Sequence, residues 1–475
     1  MPTDLSVQVA VIGAGPGGYA AAFYAADLGM SVALIDPDAN PGGVCLYRGC
    51  IPSKALLHAA KVITESHEAS AFGISFDSPK IDLDKLRSWK DAVVGKLTGG
   101  LGQITKMRKI TYVRGRAGFR DPHTLDVQLA GGGNQPLSFE HAIIATGSLP
   151  SKVPGLSIDS PRVMDSTSAL ELADVPRKLL VIGGGYIGLE LGTVYAALGS
   201  EVSVVEMMPG LLPGADRDLV GVLARRAEKV FKAIMLNTKV ASLLEEKKGI
   251  KVTFEGENLA AREATFDKVL IAVGRRPDAA VPGLDRTRVK LTARGFVETD
   301  AARRTAEPSI FAIGDVAGEP MLAHKASHEA RAAVDAITGR NAAFEPNAIP
   351  AVVFTDPEIA WCGLTETEAQ QRGIKVEVAR FPWAAIGRAI TLDRPDGSTK
   401  LVIDPESRRV LGVGIVGAGA GELISEGVLA IEMGALVDDV AMTIHPHPTL
   451  SETLMEAAEV YFGHSTHVYR PKRKS

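Results

Sequence analysis

The chain has 475 residues, of which 46% are apolar and 23% charged, with a formal net charge of −4. That length and balance describe a globular chain of about three domains and give no ground for a nucleic-acid or membrane partner. With only three cysteines, a disulfide-stapled secreted scaffold is excluded.

The sequence runs at once into an apolar segment, Val7–Ile12, read as a strand. No signal or transit segment is evident before it, so a cytoplasmic location is expected. Gly13, Gly15 and Gly18 follow, then a helical stretch ending at Leu28-Gly29, a second strand Val32–Ile35, and Asp36. The whole pattern returns 170 positions later as Leu179–Ile182, Gly183, Gly185, Gly188, Gly199, Val202–Val205 and Glu206. Each copy is the βαβ unit that binds a dinucleotide. Its glycines permit a tight turn and close approach of the pyrophosphate, which rests on the helix N-terminus. The acid closing the second strand accepts hydrogen bonds from the adenosine ribose. One such glycine pattern is weak evidence, but two complete copies imply two dinucleotide sites. The second copy contains Glu190 within its helical stretch, so Leu179–Gly199 is not read as membrane-spanning.

Directly after the first copy comes Gly42-Gly43-Val44-Cys45-Leu46-Tyr47-Arg48-Gly49-Cys50-Ile51-Pro52-Ser53-Lys54. A close cysteine pair is a metal half-site or a redox couple, and a metal site needs a second pair that Cys362 alone cannot supply. The redox reading therefore holds. Residues five apart in a regular helix have Cα atoms roughly 8–9 Å apart, beyond the ~7 Å reach of a disulfide. Joining Cys45 to Cys50 thus requires a loop or distorted turn, which Gly49 and Pro52 permit. Pro52 suits the opening of a helix through Ala60, placing Cys50 near an N-terminus that favours the thiolate. Cysteines following the first copy assign it the redox dinucleotide that meets sulfur, FAD, and leave the second for a nicotinamide nucleotide. Glu206 repels a 2′-phosphate and Met207-Met208 offers no arginine, so NAD is expected over NADP.

Boundaries follow from punctuation. Ala145-Thr146-Gly147 ends an apolar strand before Pro150 and Pro154-Gly155. Val269–Val273 runs into Gly274-Arg275 and Pro277, and Ile310–Ile313 into Gly314-Asp315. Four segments are expected: 1–149, the first part of an FAD-binding domain; 150–275, an NAD-binding domain; 276–346, completing the FAD domain; and 347–475, a C-terminal α+β interface domain. Cys362 lies in a strand-like run and is read as a buried small residue. Near the end stand His445-Pro446-His447-Pro448-Thr449 and Glu452. Prolines on both sides fix His447 outside a helix, as suits a positioned base. Thr449-Leu450-Ser451-Glu452 also reads as a capping box, so Glu452 could close a helix, orient His447, or do both. The basic stretch Arg470–Lys474 is read as a solvated terminus.

With these motifs in order, the chain resembles the flavin disulfide reductases, the class I pyridine nucleotide-disulfide oxidoreductases. Within them it is similar to the branch that reoxidises protein-bound dihydrolipoyl groups. The resemblance spans essentially the whole chain. It implies an α/β fold with two Rossmann-like domains, for FAD and NAD, and a C-terminal dimerisation domain. It implies Cys45 as the interchange thiol, Cys50 as the thiol against the flavin, and Lys54 near the flavin paired with Glu190. With Gly13, Gly15, Gly18 and Asp36, it groups Ala117 (at adenine), Thr146, Gly147, Asp315 (at the ribityl chain) and Ala323 at FAD, where Met321–His324 would pass the ring. With Gly183, Gly185, Gly188 and Glu206, it groups Tyr186, Ile187, Val240 (near adenine), Gly274 and Arg275 at NAD. It implies His447 as acid–base catalyst with Glu452 as its partner, reaching the cysteines of the opposite subunit of a homodimer. As partners it implies the lipoyl domains and the dihydrolipoyl acyltransferase core of 2-oxo acid dehydrogenase complexes.

Related activities on this scaffold fit less well. Glutathione-type reductases would want basic residues after Glu206, mercuric reductases a C-terminal cysteine pair, and soluble transhydrogenases lack the thiol pair. A pure docking or scaffold role would not need both thiols, His447 and Glu206. Two departures from the pattern stand out: Tyr47-Arg48 in place of Asn-Val, and Pro446 in place of Ala. Arg48 is expected to place a cation between the thiols and favour the thiolate.

Overall fold

In the computed structural model, the described residues are 5–156, 158–257 and 259–469; the basic stretch from Arg470 lies outside them. Short runs of β-branched and aliphatic residues, bounded by glycine turns, become parallel strands buried on both faces. Leu5–Ile12 pairs in parallel with Val32–Asp36 on one side and with Asn134–Ile144 on the other. Ile310–Ala312 adds in parallel to the far edge of Asn134–Ile144. Thr111–Asp121 and Thr124–Leu129 complete this six-stranded sheet through an antiparallel meander. The late strand 310–312 thus joins the sheet of the first 150 residues, and helix Ala323–Ile337 packs with helix Pro16–Asp27 in one buried cluster.

The second unit repeats the plan. Lys178–Ile182, Glu201–Val205, Ala233–Met235, Lys268–Ile271 and Val163–Met164 form a parallel five-stranded sheet. A three-stranded antiparallel sheet, 238–266, packs on it through Val240, Leu243, Ile250 and Phe254. Parallel strands covered on both faces should read as continuous apolar runs rather than alternations, and these do. The C-terminal unit is an antiparallel five-stranded sheet, in the order 351–353, 358–363, 410–417, 398–403, 377–382. Helix Ala420–Glu432 packs on strands 358–363 and 410–417, and helix Glu452–Phe462 on strands 377–382 and 398–403. Cys362 is buried there, as expected, and its thiol is pushed up to about 12 by burial.

Ionic and apolar contacts weld the units. Lys400, 1% exposed, lies between Asp216, Asp218 and Glu366 at 2.6, 2.8 and 2.8 Å, joining the second unit to the C-terminal sheet. Val353, Ile359 and Val416 of that sheet share one apolar cluster with Leu56, Leu189 and Leu219.

Candidate active site

The two fingerprints superimpose in chemistry as well as spacing. Gly13 and Gly183 have φ of +98° and +112°, and a Cβ on either would lie within 2.5 Å of the carbonyl oxygen of Ala145 or Ala272. A Cβ on Gly18 would sit 1.8 Å from the Gly13 oxygen, and one on Gly188 2.2 Å from that of Gly183. Only hydrogen fits at these four places, which lets each helix start directly above its strand. The acids repeat as well. Asp36 accepts from the amides of Ala14 at 2.7 Å and Asp38 at 2.9 Å. Glu206 accepts from Gly184 at 2.7 Å and Met208 at 2.8 Å. Each carboxylate is thereby locked at its strand end with lone pairs left for ribose hydroxyls. Burial raises the Asp36 pKa, opposed by those two amides.

The copies differ in what covers them. The first turn is capped by the cysteine segment, where Gly43 sits so close to Gly15 that a Cβ on it would be 2.5 Å from the Gly15 Cα. That segment is two helices, Gly43–Arg48 and Cys50–Glu68, broken at Gly49 with φ −146° and ψ −111°. The break supplies the distortion that a bridge between residues five apart requires. The second helix runs eight residues beyond the expected end at Ala60, while its buried positions stop at Ala60.

The two thiols are free and hydrogen-bonded to one another, Cys45 half-buried and Cys50 exposed to the cleft. The hydrogen bond from Cys45 is the main influence lowering the Cys50 thiol to about 7. The Lys54 charge adds to it, while burial and Glu190 oppose. The same bond, with burial, drives the Cys45 thiol up. The thiols titrate as one pair, in which the Lys54 charge and the start of the helix favour the negative charge on Cys50. Cys50 opens its helix, where the dipole favours an anion. Arg48 does not act as expected. Its guanidinium turns onto the Asp38 carboxylate, at 2.6 and 3.2 Å, on the Asp36 side of the cleft. The nearest competing acceptor captured it, and Lys54 is the cation beside the thiols.

Lys54 donates to Glu190 at 2.8 Å and lies 4.4 Å over the Phe354 ring. Glu190, 3% exposed, also accepts from the Ser53 hydroxyl at 3.0 Å and the Phe354 amide at 3.1 Å. Sequence reasoning missed both partners. Ser53 was visible inside the cysteine motif, whereas Phe354 carries no local signal. Tyr19 was missed as well; burial and the two cysteines push its hydroxyl up to about 12. Across the cleft, Ser148 donates to Asp315 at 2.5 Å and receives Arg275 at 2.8 Å. Behind Asp315, the fully buried Glu329 accepts from the Gly314 amide at 2.6 Å and pairs with Arg303 and Lys325.

A single cleft of about 1190 Å³ gathers Gly13, Gly15, Asp36, Cys45, Cys50, Lys54, Ala117, Thr146, Gly147, Tyr186, Ile187, Glu190, Arg275, Asp315 and Ala323. Gly18, Gly183, Gly185, Gly188, Glu206 and Gly274 do not line it; the second fingerprint opens elsewhere. Val240, assigned to the NAD adenine, faces inward at 5% exposure in the core between two sheets. Arg275 is held by Ser148 and so serves the cleft of the first unit in this conformation. The glycine turn, where a side chain would strike backbone carbonyls, the clamped acid and the facing thiols fit FAD, and the cleft runs from Asp36 to Cys50.

His447 and Glu452 are paired but lie outside that cleft. His447 Nδ1 is 2.9 Å from Glu452 Oε1, while Glu452 Oε2 accepts from the Thr449 amide at 2.7 Å. Helix Glu452–Phe462 begins at Glu452 with Ser451 as N-cap, so no capping box forms around Thr449. Glu452 instead closes the preceding turn and holds the histidine with the same carboxylate. Burial alone would raise the Glu452 pKa; the Thr449 amide and His447 outweigh it and hold the carboxyl below its ordinary value. The segment is fastened from below by a chain of hydroxyls: Trp383 Nε1 donates to Thr399, Thr399 to Thr453, and Thr453 to the Leu450 carbonyl. His445 is tied to Thr443 and Glu426, which suits structure.

Two dinucleotide turns, a facing dithiol and a separate His–Glu pair define a flavin- and pyridine-nucleotide-dependent disulfide oxidoreductase. Residues 7–330 match the pyridine nucleotide-disulphide oxidoreductase family and residues 349–458 its dimerisation domain. The chain belongs to that family, uses FAD and NAD(H), and carries the domain through which its members form homodimers. It is 49% identical over 474 residues to the dihydrolipoyl dehydrogenase of Haemophilus influenzae, covering 100% of this chain and 99% of that one. The enzyme of that name from Vibrio cholerae is 48% identical, with the same coverage. Among solved structures, LpdA from Mycobacterium tuberculosis superimposes with a TM-score of 0.88 at 25% identity, covering 95% of this chain and 99% of that one. The HOCl-induced flavoprotein disulfide reductase RclA from Escherichia coli gives 0.84 at 28%, covering 95% and 99%. No helix among the described residues is long and apolar enough to cross a membrane.

Proposed function

We propose that this chain, as a cytoplasmic homodimer, reoxidises dihydrolipoyl groups on the lipoyl domains of a 2-oxo acid dehydrogenase complex, docked on its acyltransferase core, with NAD⁺ as final acceptor. The facing dithiol carries this reading: Cys45 and Cys50 stand together in the cleft with Lys54, and Cys50 opens its helix. Naming of the relatives as dihydrolipoyl dehydrogenases supports the substrate.

In the oxidised enzyme Cys45 and Cys50 form a disulfide. His447 of one copy, oriented by Glu452, takes the proton of one dihydrolipoyl thiol at the cleft of the other copy. The new thiolate attacks Cys45 Sγ; the Cys45–Cys50 bond breaks and Cys50 leaves as thiolate, which Lys54 and the helix N-terminus stabilise. The second dihydrolipoyl thiol then attacks the sulfur of its own first thiol. This closes the lipoyl disulfide and releases Cys45, which takes the first proton from His447, while His447 takes the proton of the second thiol. Two electrons then sit on the Cys45–Cys50 pair, with one lipoyl proton on Cys45, the other on His447, and Cys50 as thiolate. Gly13, Gly15, Asp36, Ala117, Thr146, Gly147, Asp315 and Ala323 would hold FAD, which when bound would supply the acceptor for that electron pair and the hydride chemistry that NAD⁺ requires. Glu206 with Gly183–Gly188 hold that nucleotide, while Tyr186 and Arg275 line the passage between the sites.

Replacing Cys45 by Ser tests the assignment. The variant is expected to keep bound flavin and its reduction by NADH while losing lipoamide turnover by more than a thousandfold. Persistent turnover would overturn the role of this pair. Comparing lipoamide with glutathione disulfide, and NADH with NADPH, fixes substrate and nucleotide in the same assay.

A further inference from the structure

Helix Glu452–Phe462 carries a second histidine–carboxylate pair one turn beyond the first. Glu456, 1% exposed, sits four residues after Glu452 on the same helix. Its Oε1 lies 2.5 Å from His467 Nδ1 and its Oε2 accepts from the Ser465 hydroxyl at 2.6 Å. The Ser465 oxygen also accepts from the Val468 amide, so the segment after Gly463 doubles back along the helix. A carboxylate this buried needs such partners, because without them its charge would be strongly unfavourable. Nothing in the thiol–disulfide chemistry requires a buried acid at 456 or a histidine at 467.

The two pairs share one electrostatic neighbourhood. The charges acting most on Glu452 are those of His447 and, after it, His467. Around the rest of the helix, Glu377 on strand 377–382, Arg408 and Asp438 act on Tyr461, at its other end. Glu452 thus senses the histidine it orients and the histidine of the returning segment.

We infer that His467 and Glu456 form a positioning pair for His447, acting through Glu452 and the first turns of helix 452–462. This rests on the reading of His447 as the acid–base group. Glu456 supplies a negative charge one turn from the Glu452 carboxylate, and His467, when protonated, supplies the compensating positive one. Their balance sets how readily His447 takes the dihydrolipoyl proton. Ser465 and His467 also pin the returning segment to the helix at Glu456.

The opposite signs of the two charges give the test. In the FAD-loaded dimer, the pH profile of kcat/KM for dihydrolipoamide falls on the acid side as the base becomes protonated. Glu456→Gln removes a negative charge, weakens the hold of His447 on a proton, and moves that limb to lower pH. His467→Asn removes a positive charge and moves it to higher pH. Each shift is about half a pH unit for charges one helical turn apart near the surface. The double variant returns close to the parent profile. The rate of His447 modification by diethyl pyrocarbonate against pH, read by mass spectrometry, is expected to show the same opposite displacements without reference to turnover. A merely structural role would not move the two variants in opposite directions. Unmoved limbs, or shifts of the same sign, in variants that remain dimeric and melt like the parent overturn the inference. Should Glu456→Gln fail to fold, His467→Asn, at a half-exposed site, decides the question alone. Parallel assay of His447→Gln keeps the two readings apart: normal turnover there removes the acid–base assignment itself, whereas lost turnover with unmoved limbs removes only the positioning pair.

Discussion

At the scale of single residues, the chemistry is set by how few charges reach the thiols. Cys50 is lowered by the hydrogen bond from Cys45 and by Lys54, with burial and Glu190 opposing. A group held below its ordinary value is deprotonated earlier as pH rises. In the two-electron-reduced enzyme, the long-wavelength thiolate–flavin absorbance is therefore expected to grow with a midpoint near pH 7 and to fade below it. Lys54→Met removes the cation and is expected to move that midpoint up by about one pH unit; an unmoved midpoint contradicts the role of Lys54. The side chain of Arg48 shows what a linear reading misses. Its place between the cysteines is legible, but the direction of a long flexible side chain is decided by whichever carboxylate lies in reach, and Asp38 is brought there only by the fold.

At the scale of elements, each glycine turn lets the helix of its own unit start directly above its strand. Gly18 and Gly188 do the same steric work in two units, so one methyl group should have separable effects. Gly18→Ala is expected to yield protein that emerges from gel filtration without flavin colour. Gly188→Ala should retain flavin yet lose its reduction by NADH. Crowding of this severity costs about 1–3 kcal/mol or more locally, enough to displace a helix from a strand. Colour retained in the first variant would contradict the cradle. These turns were legible because each glycine answers to a local backbone demand, and strands 7–12, 32–35, 179–182 and 202–205 each fall within observed ones. Phe354, Ser148 and the Glu329 cluster were not legible, since each meets its partner across more than one element and no local spacing encodes the meeting. Val240 lies in the core between two sheets, because an apolar residue on a two-sided strand turns inward when a second sheet covers it.

At the scale of the whole molecule, the cleft of one chain holds the sulfurs and not the proposed base. His447 and Glu452 lie on the dimerisation domain, away from their own Cys45 and Cys50. Exchange across a two-fold axis predicts complementation. Co-expressed Cys45→Ser and His447→Gln chains, each inactive alone, should give hybrid dimers with one complete site and about half the parent turnover per dimer. Inactive hybrids would place base and thiols in one subunit.

The carboxylate of Glu190 ties its own nucleotide unit to two other parts of the chain by three bonds, from Ser53 and Lys54 on the redox helix and from the Phe354 amide of the C-terminal unit. Swinging the nucleotide unit outward as a rigid body would rupture all three contacts, at about 1.5–3 kcal/mol for each bond to a charged group. A hinge opening is thereby discouraged at the very spot where traffic must pass. Access for the nicotinamide must come from side chains such as Tyr186 turning aside, with the architecture around them standing still.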